Sequence, residues 1–407
     1  MAGNIAILTR YYNSENYGGV LQAYALNRYI RELGYPCETL QYDSAQNAGY
    51  SRRVSGKNGL TARKIIGYAY LKGRSILRRP IEKRVKARLR ARSAAFAAFR
   101  RDMIPHSDSV YHAGNIGESN ELYDAFVVGS DRVWMPNGFR IPAETPYFLD
   151  FVKAGNKKIA YAASMGRHSL QGDESAFYRQ FLNRFDAVGL REKAALDLLD
   201  PLIDDDRPGA EWVTDPVFLL DQAGWETLLP PAQNRPPYAF VYLLSNTRRY
   251  KDLITRFSKA RGLRLVTLPF AGGAFNPHDL RFGDEMAYDC GPREFVGLLR
   301  GADLVMTDSF HCAAFSLIFE KEFLVFDRDQ ATGKKSYLSR LISLMDMAGI
   351  PRERIIGQEM SLEEMMNLTP IPYSQIKTWM DGHILRSKRF LADALSDLPK
   401  PAGLNEI

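Results

Sequence analysis

The fold is decided by residues 302–311, which read ADLVMTDSFH. The apolar run in its middle predicts a strand buried on both faces, and Asp308 or Ser309 is placed to cap the apolar helix that follows. Another apolar strand, at residues 323–326, comes directly after that helix. A strand, a helix and a strand in this order predict a parallel sheet, whose ligands bind beyond the carboxyl ends of its strands. His311 therefore lies where chemistry is expected.

Two series of such strands and helices follow one another along the chain, separated by a proline-rich stretch at residues 229–237. A chain of 407 residues is also too long for one compact core. We therefore expect an α/β protein of two Rossmann-like domains with parallel sheets, at residues 1–229 and 238–375. A basic helical insertion at about 52–101 belongs to the first domain, and a C-terminal helix and tail occupy residues 376–407.

The composition indicates a folded protein in a reducing compartment. Hydrophobic residues make up 45% and charged residues 25% of the chain, as in ordinary soluble domains. Cys37, Cys290 and Cys312 form no CxxC pair, which argues against a disulfide framework or a cysteine zinc site. The sequence shows neither a secretory signal nor a membrane-spanning run, so we expect a cytoplasmic protein.

The net charge of +7 is unevenly distributed. Residues 52–101 hold 17 Lys or Arg against the single acid Glu82, which puts +16 on this segment and −9 on the rest. The segment lacks regular aromatic interleaving and no known nucleic-acid module surrounds it, which argues against nucleic acid as a partner. Two interpretations stay open: attraction to an anionic membrane surface, or a helix face exposed to solvent.

Polar turns follow several strands of the first half. The turn after the first strand, residues 10–19, ends in Gly18 and Gly19, so its backbone could approach an anion or a sugar at a helix N-terminus. It matches neither the GxGxxG nor the P-loop pattern, and a tight strand-to-helix turn explains it equally well. Asp215, which precedes Pro216, is interpreted as a turn residue.

Two further turns carry polar side chains. Ser130 and Asp131 follow the strand at 125–128, where Asp131 could orient acceptor hydroxyls or, with Ser130, cap the next helix. Arg191 leaves another strand at the start of a helix. Its guanidinium could bind a phosphate or carboxylate through two parallel hydrogen bonds, or it could form an ion pair with Glu192 or with a neighbouring acid.

His311 is one of six histidines, and no two of them have the i, i+4 spacing of a helical zinc site. We therefore expect no bound metal. At a helix N-terminus a histidine can transfer protons near neutral pH. The alternative is a histidine that caps the helix or packs beside it.

Seven short segments resemble, in the same order, motifs of the polysaccharide pyruvyl transferase family. The resemblance runs over roughly residues 4–330. Their shared order makes the match specific, and it favours functional roles for His311 and Arg191. The segments lie at residues 16–26, 128–134, 159–164, 191–192, 215–216, 290–292 and 307–311.

The resemblance implies a GT-B-like fold with the active site in the interdomain cleft. It also implies transfer of a pyruvyl group from phosphoenolpyruvate to two hydroxyls of a sugar, which forms a pyruvyl ketal and releases phosphate. His311 and Arg191 would be the catalytic residues, and phosphoenolpyruvate would be a co-substrate, with no further cofactor. The residues expected to bind substrate are Ser309, Phe310, Asp131, Ser130, Asn16, Gly18, Arg10 and Lys335.

The implied acceptor is a sugar in a glycan or in a lipid-linked oligosaccharide precursor, as in the biosynthesis of exopolysaccharides and other cell-surface glycans. The basic segment 52–101 would suit an acceptor carried on a diphosphate lipid. The protein would then lie peripherally at the inner face of the cell membrane.

The chain departs from the family pattern beside His311. Some members place an arginine two residues before the histidine, where this chain has Ser309, so a second guanidinium must come from elsewhere or be missing. Arg10 and Lys335 are the candidates for that positive charge. The small pair that often follows the histidine begins with Cys312 here.

Two other functions are compatible with the same architecture, because a fold does not fix a function. One is a GT-B glycosyltransferase that uses a nucleotide sugar and releases a nucleoside diphosphate. The other is a non-catalytic protein that binds glycans or lipid phosphates through the basic segment.

Overall fold

The computed structural model describes most of the chain. Within the helix that begins at residue 75, side chains are described from residue 83 onward. The described residues are 3–44, 75–135, 144–166, 169–231, 234–245, 247–269, 282–328 and 338–400.

A parallel sheet forms the centre of the first domain. Its order is β3-β2-β1-β4-β5-β6-β7, and every neighbouring pair runs parallel. The central strands are apolar and buried on both faces, as parallel sheets covered by helices require. The strands are β1 (Ile5–Leu8), β2 (Cys37–Tyr42), β3 (His106–Tyr111), β4 (Ala125–Val128), β5 (Lys157–Ala163), β6 (Ala187–Leu190) and β7 (Glu211–Trp212).

A second parallel sheet forms the centre of the second domain. Its order is β10-β9-β8-β11-β12-β13, again with parallel neighbours throughout. The strands are β8 (Tyr238–Tyr242), β9 (Arg264–Thr267), β10 (Glu285–Met286), β11 (Leu304–Thr307), β12 (Phe323–Phe326) and β13 (Ile355–Ile356).

Helices connect and cover these strands. In chain order they are α1 (Tyr17–Glu32), α2 (Ser75–Met103), α3 (Glu174–Leu182), α4 (Lys193–Leu199), α5 (Gln222–Glu226), α6 (Arg248–Ala260), α7 (Pro292–Arg300), α8 (Phe310–Ile318), α9 (Leu338–Ala348), α10 (Leu362–Met366) and α11 (Tyr373–Leu395).

The strand order reverses at one point in each sheet. The chain builds outward from β1 and then returns to add β4 on its other side, and it does the same from β8 to β11. A crevice opens beyond the carboxyl ends of the strands at such a switch point, where ligands of doubly wound folds bind. The predicted fold class, two Rossmann-like domains with parallel sheets in a GT-B-like arrangement, is confirmed.

One hydrophobic core joins the two domains. Helix α1 of the first domain packs against α7 and α8 of the second. The ring of Tyr17 stacks on the ring of Phe295 with centroids 4.5 Å apart. The switch points of the two sheets therefore face each other across a packed junction.

The C-terminal helix α11 crosses from one domain to the other. Ile376 and Met380 near its start belong to the core of the second domain and the junction, while Phe390 and Leu391 near its end pack under the first sheet. Among the described residues, no helix is both long and apolar enough to cross a bilayer.

The expectation that Asp308 or Ser309 caps α8 through its side chain is wrong. The carboxylate of Asp308 instead accepts hydrogen bonds from the backbone N–H groups of Leu244 and Ser245, at 2.6 and 2.7 Å. Ser309 is the N-cap residue by position, but its side chain makes no capping bond. Because β8 and β11 are neighbours in the sheet, Asp308 connects the turn after β11 to the end of β8 through these hydrogen bonds.

The basic segment is only partly a solvent-exposed helix face. Residues 52–74, and the side chains of residues 75–82, lie outside the described part of the chain. Further along α2, Phe96 and Phe99 belong to the shared core, and Arg92 is 3% exposed. One face of the last part of this helix is therefore buried in the folded interior, while the other face stays exposed.

Candidate active site

One cavity of about 350 Å³ lies where the turns at the two switch points meet. Its walls come from the start of α1, the turn after β4, the end of β8, the turn from β11 into α8, and helices α2, α7 and α9. This volume is at the lower end of the range for small-molecule sites. Both domains therefore contribute to one site for a compact ligand.

His311 occupies the first turn of α8 and is only 5% exposed. Its Nε2 lies 3.5 Å from Oδ2 of Asp215, which belongs to the first domain. That separation is long for a hydrogen bond, and Nε2 has no hydrogen-bond partner among the described residues. The Nδ1 edge of the ring lies beside Gly18, where a Cβ atom would be 2.0 Å from Nδ1. Only glycine at position 18 lets the ring lie against the start of α1.

Asp215 is the buried carboxylate beside His311. Its Oδ1 accepts from the backbone N–H of Val217 at 3.1 Å, and its Oδ2 accepts from Oγ of Ser130 at 2.8 Å and Nη1 of Arg191 at 2.7 Å. Burial by itself would raise the pKa of Asp215, but His311 and Arg191 outweigh it and hold that pKa well below its ordinary value. The carboxylate is therefore ionised and anchored at both oxygens.

Arg191, directly after β6, is the centre of a buried ion cluster and is 3% exposed. Burial disfavours its charge, but the surrounding carboxylates outweigh burial and raise the pKa of the guanidinium. All three guanidinium nitrogens donate to protein oxygens at 2.7 to 3.3 Å. The acceptors are Glu192 for Nε, Asp215 and Ser130 for Nη1, and Asp131 and Ser164 for Nη2.

The ring of Phe310 lies between this cluster and the cavity. Cζ of Arg191 is 4.3 Å from the ring centroid, a cation–π contact. Phe310 and Asp131 line the cavity, whereas Arg191 and Ser130 lie behind them. Arg191 therefore supports the cavity wall.

Asp131 links the two domains across the cavity. Its Oδ1 accepts from Nη2 of Arg191 at 3.1 Å and from Nη1 of Arg340, in α9, at 3.2 Å. Burial opposes ionisation, but Arg191, His311 and Arg340 together lower the pKa of Asp131 to about 2. Burial also lowers the pKa of Arg340, and this effect outweighs the nearby negative charge of Asp131, which would raise that pKa.

Four arginines line the cavity among the described residues. Arg92 comes from α2, Arg132 from the turn after β4, Arg328 from the end of β12, and Arg340 from α9. The Nε atoms of Arg92 and Arg340 are buried and have no hydrogen-bond partner in the described part of the chain. Four guanidinium groups around one cavity favour an anionic ligand, because guanidinium groups donate paired hydrogen bonds to phosphates and carboxylates.

Aromatic rings hold Arg92 in place. Cζ of Arg92 lies 4.8 Å from the ring centroid of Tyr17, and its Nη1 donates to the carbonyl of Pro269 at 3.2 Å. The hydroxyl of Tyr17 in turn donates to the carbonyl of Cys290 at 2.6 Å, and its ring meets Tyr242 edge-on. A guanidinium from the basic segment is thus fixed at the cavity wall.

The family of the chain follows from a match that spans most of it. A model of the polysaccharide pyruvyl transferase family matches residues 16–330, which include α1, α2 and α8. The chain belongs to the polysaccharide pyruvyl transferase family. A search of curated proteins found no match.

Solved structures of similar layout cover nearly all of the chain at low identity. A glycotransferase of kitacinnamycin is 13% identical, covers 98% of this chain and 100% of its own, and has a TM-score of 0.46. The UDP-GlcNAc 2-epimerase of Methanocaldococcus jannaschii, in complex with UDP-GlcNAc and UDP, is 14% identical over 94% of this chain and 98% of its own, with a TM-score of 0.45. The UDP-GlcNAc 2-epimerase of Neisseria meningitidis is 11% identical over 97% and 100%, with a TM-score of 0.44. Likenesses this distant say nothing about substrates.

Six of the residues that the sequence and the pyruvyl transferase resemblance predicted for the site line the cavity. Asn16 among them also caps α1 by accepting from the backbone N–H of Gly19 at 3.3 Å. Residues 131–134 form a turn, so Ser130 and Asp131 do not cap a helix there. The six are His311, Ser309, Phe310, Asp131, Asn16 and Gly18.

The other four predicted residues lie elsewhere. Ser130 and Arg191 are in the ion cluster behind the wall, and Lys335 lies outside the described residues. Arg10 does not line the cavity: its guanidinium pairs with Glu144 and stacks over the ring of a tyrosine, so its role as the second positive charge stays a prediction. Direct contact between Arg191 and a donor stays a prediction, since the structure assigns its nitrogens to protein partners.

Sequence reasoning missed the cavity arginines. Arg92 was one of 17 basic residues in a segment interpreted as a surface, and only its place in a helix that buries Phe96 and Phe99 would have singled it out. Arg340 lies beyond the end of the family match at residue 330, in a helix without a recognisable motif. No group of three or more His, Cys, Asp or Glu suited to a metal ion occurs in the part of the chain that the structure describes.

Proposed function

We propose that this protein transfers a pyruvyl group from phosphoenolpyruvate to two hydroxyls of a sugar, forming a pyruvyl ketal and releasing phosphate. Family membership supports the class of transfer. The observation that supports the choice of donor is that His311 and four arginines line the same cavity of about 350 Å³.

The arginines match the charge of this donor. Phosphoenolpyruvate carries a phosphate and a carboxylate a few bonds apart, and guanidinium groups bind both through paired hydrogen bonds. A buried donor without a partner costs about 1–3 kcal/mol. Arg92 and Arg340, from opposite domains, each contain such a donor and line the cavity, where a bound anion would pair with their guanidinium groups.

The reaction also needs a group that moves protons. Protonation of C3 of phosphoenolpyruvate makes C2 electrophilic, and a sugar hydroxyl adds there and loses its proton. The bond from C2 to the phosphate oxygen then breaks, and the second hydroxyl closes the ketal while its proton passes to the departing phosphate. His311 is the general acid-base in this proposal, a role worth roughly 10²–10⁴-fold in rate. The cavity arginines stabilise the negative charge that develops on the departing phosphate.

Arg191 supports this site from behind. It fixes Asp131, which holds Arg340, and Asp215, which faces His311. Direct binding of the donor, as the family resemblance implies, would require one of its nitrogens to leave a buried oxygen acceptor.

The acceptor in this proposal is a sugar of an exopolysaccharide or another cell-surface glycan, free or carried on a diphosphate lipid. Helix α2 supports this choice, because exposed Lys83, Arg84, Lys86 and Arg90 precede Arg92 on the same helix. An anionic membrane attracts each such basic residue by about 1 kcal/mol, which would place the protein peripherally at the inner face.

The test is turnover of phosphoenolpyruvate with a panel of glycan acceptors. We expect release of inorganic phosphate and, by mass spectrometry, acceptors that have gained one pyruvyl ketal, with neither product for His311→Gln. Nucleoside diphosphate release from nucleotide sugars would instead identify a glycosyltransferase. Binding without turnover of every donor and acceptor would identify a non-catalytic glycan- or phosphate-binding protein.

A further inference from the structure

We propose that Asp215 holds His311 in the tautomer that carries its proton on Nε2, which leaves Nδ1 as the nitrogen that exchanges protons with substrates. Asp215 is a positioning residue in this account. Its effect on turnover rests on the proposed function, whereas the tautomer itself does not.

The contact joins the two domains. Asp215 follows β7 of the first sheet, and His311 begins α8 after β11 of the second sheet. Oδ2 of Asp215 lies 3.5 Å from Nε2 of His311, and the side chain of Asp215 is completely buried. Nε2 is itself buried, and no described residue is within hydrogen-bonding distance and geometry of it. Among the described residues, the carboxylate of Asp215 is therefore the group positioned to accept a hydrogen bond from Nε2.

Asp215 can only accept. Arg191 and Ser130 donate to Oδ2 and Val217 donates to Oδ1, so the carboxylate is held from three directions. His311 and Arg191 hold the pKa of Asp215 below its ordinary value, so the carboxylate is ionised near neutral pH. An ionised carboxylate offers lone pairs and no proton, so a favourable contact requires the hydrogen to lie on Nε2.

The opposite nitrogen lies beside a residue that lines the cavity. Nδ1 lies next to Gly18, which lines the cavity at the start of α1. With the proton on Nε2, Nδ1 holds the lone pair that can take a proton from a hydroxyl. A carboxylate that fixes the tautomer of a histidine in this way orients the base without contacting substrate.

The direct test is nitrogen-15 NMR of protein labelled in its histidines, recorded over a pH series that reaches the neutral ring. His311→Gln identifies the His311 signals among those of six histidines. We expect the wild-type neutral ring to show a protonated Nε2 and a bare Nδ1, and Asp215→Asn to lose this preference. A wild-type ring protonated on Nδ1, or one unchanged by Asp215→Asn, would overturn the proposal.

Turnover gives a second readout. Asp215→Asn should lower kcat by about 10²-fold or more while the donor KM changes less than roughly threefold, because the substitution disturbs the base and leaves the cavity arginines in place. The matched control is Asp221→Asn, which alters an exposed helix-capping aspartate outside the cavity and should keep wild-type turnover.

The outcomes separate the two proposals. A wild-type protein that never turns over phosphoenolpyruvate, yet shows the expected tautomer, contradicts the proposed function alone. Wild-type kcat in Asp215→Asn contradicts the positioning role while the function stands. If Asp215→Asn does not fold, as a melting curve would show, Asp215→Ser replaces it in the same measurement. A second variant is needed because a neutral histidine ring in water already favours the proton on Nε2, so the wild-type spectrum alone can only overturn the proposal.

Discussion

Arg191 and Arg340 both donate to Oδ1 of Asp131, yet the two guanidinium groups differ in how many of their nitrogens have partners. All three nitrogens of Arg191 donate to buried protein oxygens, and a phenylalanine ring covers one face. Arg340 makes one hydrogen bond to Asp131 and has a buried Nε without a partner in the described part of the chain. A guanidinium whose nitrogens all donate to protein oxygens stabilises the cavity wall. A guanidinium beside the cavity with a single hydrogen bond to protein still has donors for a ligand.

His311 also lines this cavity with an atom, Nε2, that has no hydrogen-bond partner among the described residues, and its removal should have the largest effect. Replacement of His311 by Gln should lower kcat by roughly 10²–10⁴-fold, because the amide cannot carry a proton between a hydroxyl and C3 of the donor. Phosphate release under saturating phosphoenolpyruvate measures this. Turnover within a few-fold of wild type would show that another group does the chemistry.

Removal of Arg191 should affect stability more than any other change at the cluster. Arg191→Ala leaves the carboxylates of Asp131, Glu192 and Asp215 buried without their common partner, and should lower the free energy of unfolding by about 3–5 kcal/mol. Arg191→Lys should lose nearly as much, since lysine lacks the planar fork.

Denaturant unfolding compares these variants with Arg340→Met, which should be clearly less destabilised. If Arg191→Ala keeps wild-type stability and loses only donor affinity, the comparison fails and Arg191 is the direct clamp that the family resemblance implies.

A further variant moves the ring of His311 without removing it, and so tests whether the position of the ring matters. In Gly18→Ala the new Cβ would come within 2.0 Å of Nδ1, so the ring must move away from the cavity or from Asp215. We expect kcat to fall by about 10-fold or more, on the scale of misplaced catalytic groups. The control is Gly297→Ala in α7, where an added Cβ meets no atom within 4 Å. Equal turnover of the two variants would show that the position of the ring does not matter.

The smallest effect should come from the exposed part of the basic helix. Neutral replacement of its four exposed basic residues should weaken sedimentation with anionic vesicles by about 1 kcal/mol per residue, and raised salt should do the same. Turnover of a small soluble acceptor should not change. The four are Lys83, Arg84, Lys86 and Arg90.

A matched control replaces four exposed basic residues on α6 and should retain vesicle binding. They are Arg248, Arg249, Arg256 and Lys259. If neither set of replacements nor raised salt changes vesicle binding, the exposed face of α2 has no membrane role.

The sequence predicted the sheets and the place of His311, because an apolar strand, a polar turn and an apolar helix are local patterns. It offered an ion pair as one of two alternatives for Arg191, but it did not single out Asp131 and Asp215 as partners, because they follow other strands of the sheet. Nor did it predict Arg340, because only tertiary packing brings α9 to a turn of the first domain. Hydrogen-bond saturation depends on residues distant in sequence, and a single sequence does not show it.

Calorimetric titration of phosphoenolpyruvate into wild-type protein and into Arg340→Met tests the central claim most directly. We expect saturable binding by the wild type and an affinity roughly 10–100-fold lower in Arg340→Met, the range for a lost hydrogen bond to a charged group. His311→Gln should bind nearly as well as wild type. Equal affinity in wild type and Arg340→Met, or no binding by the wild type, would contradict the claim that this cavity holds the donor.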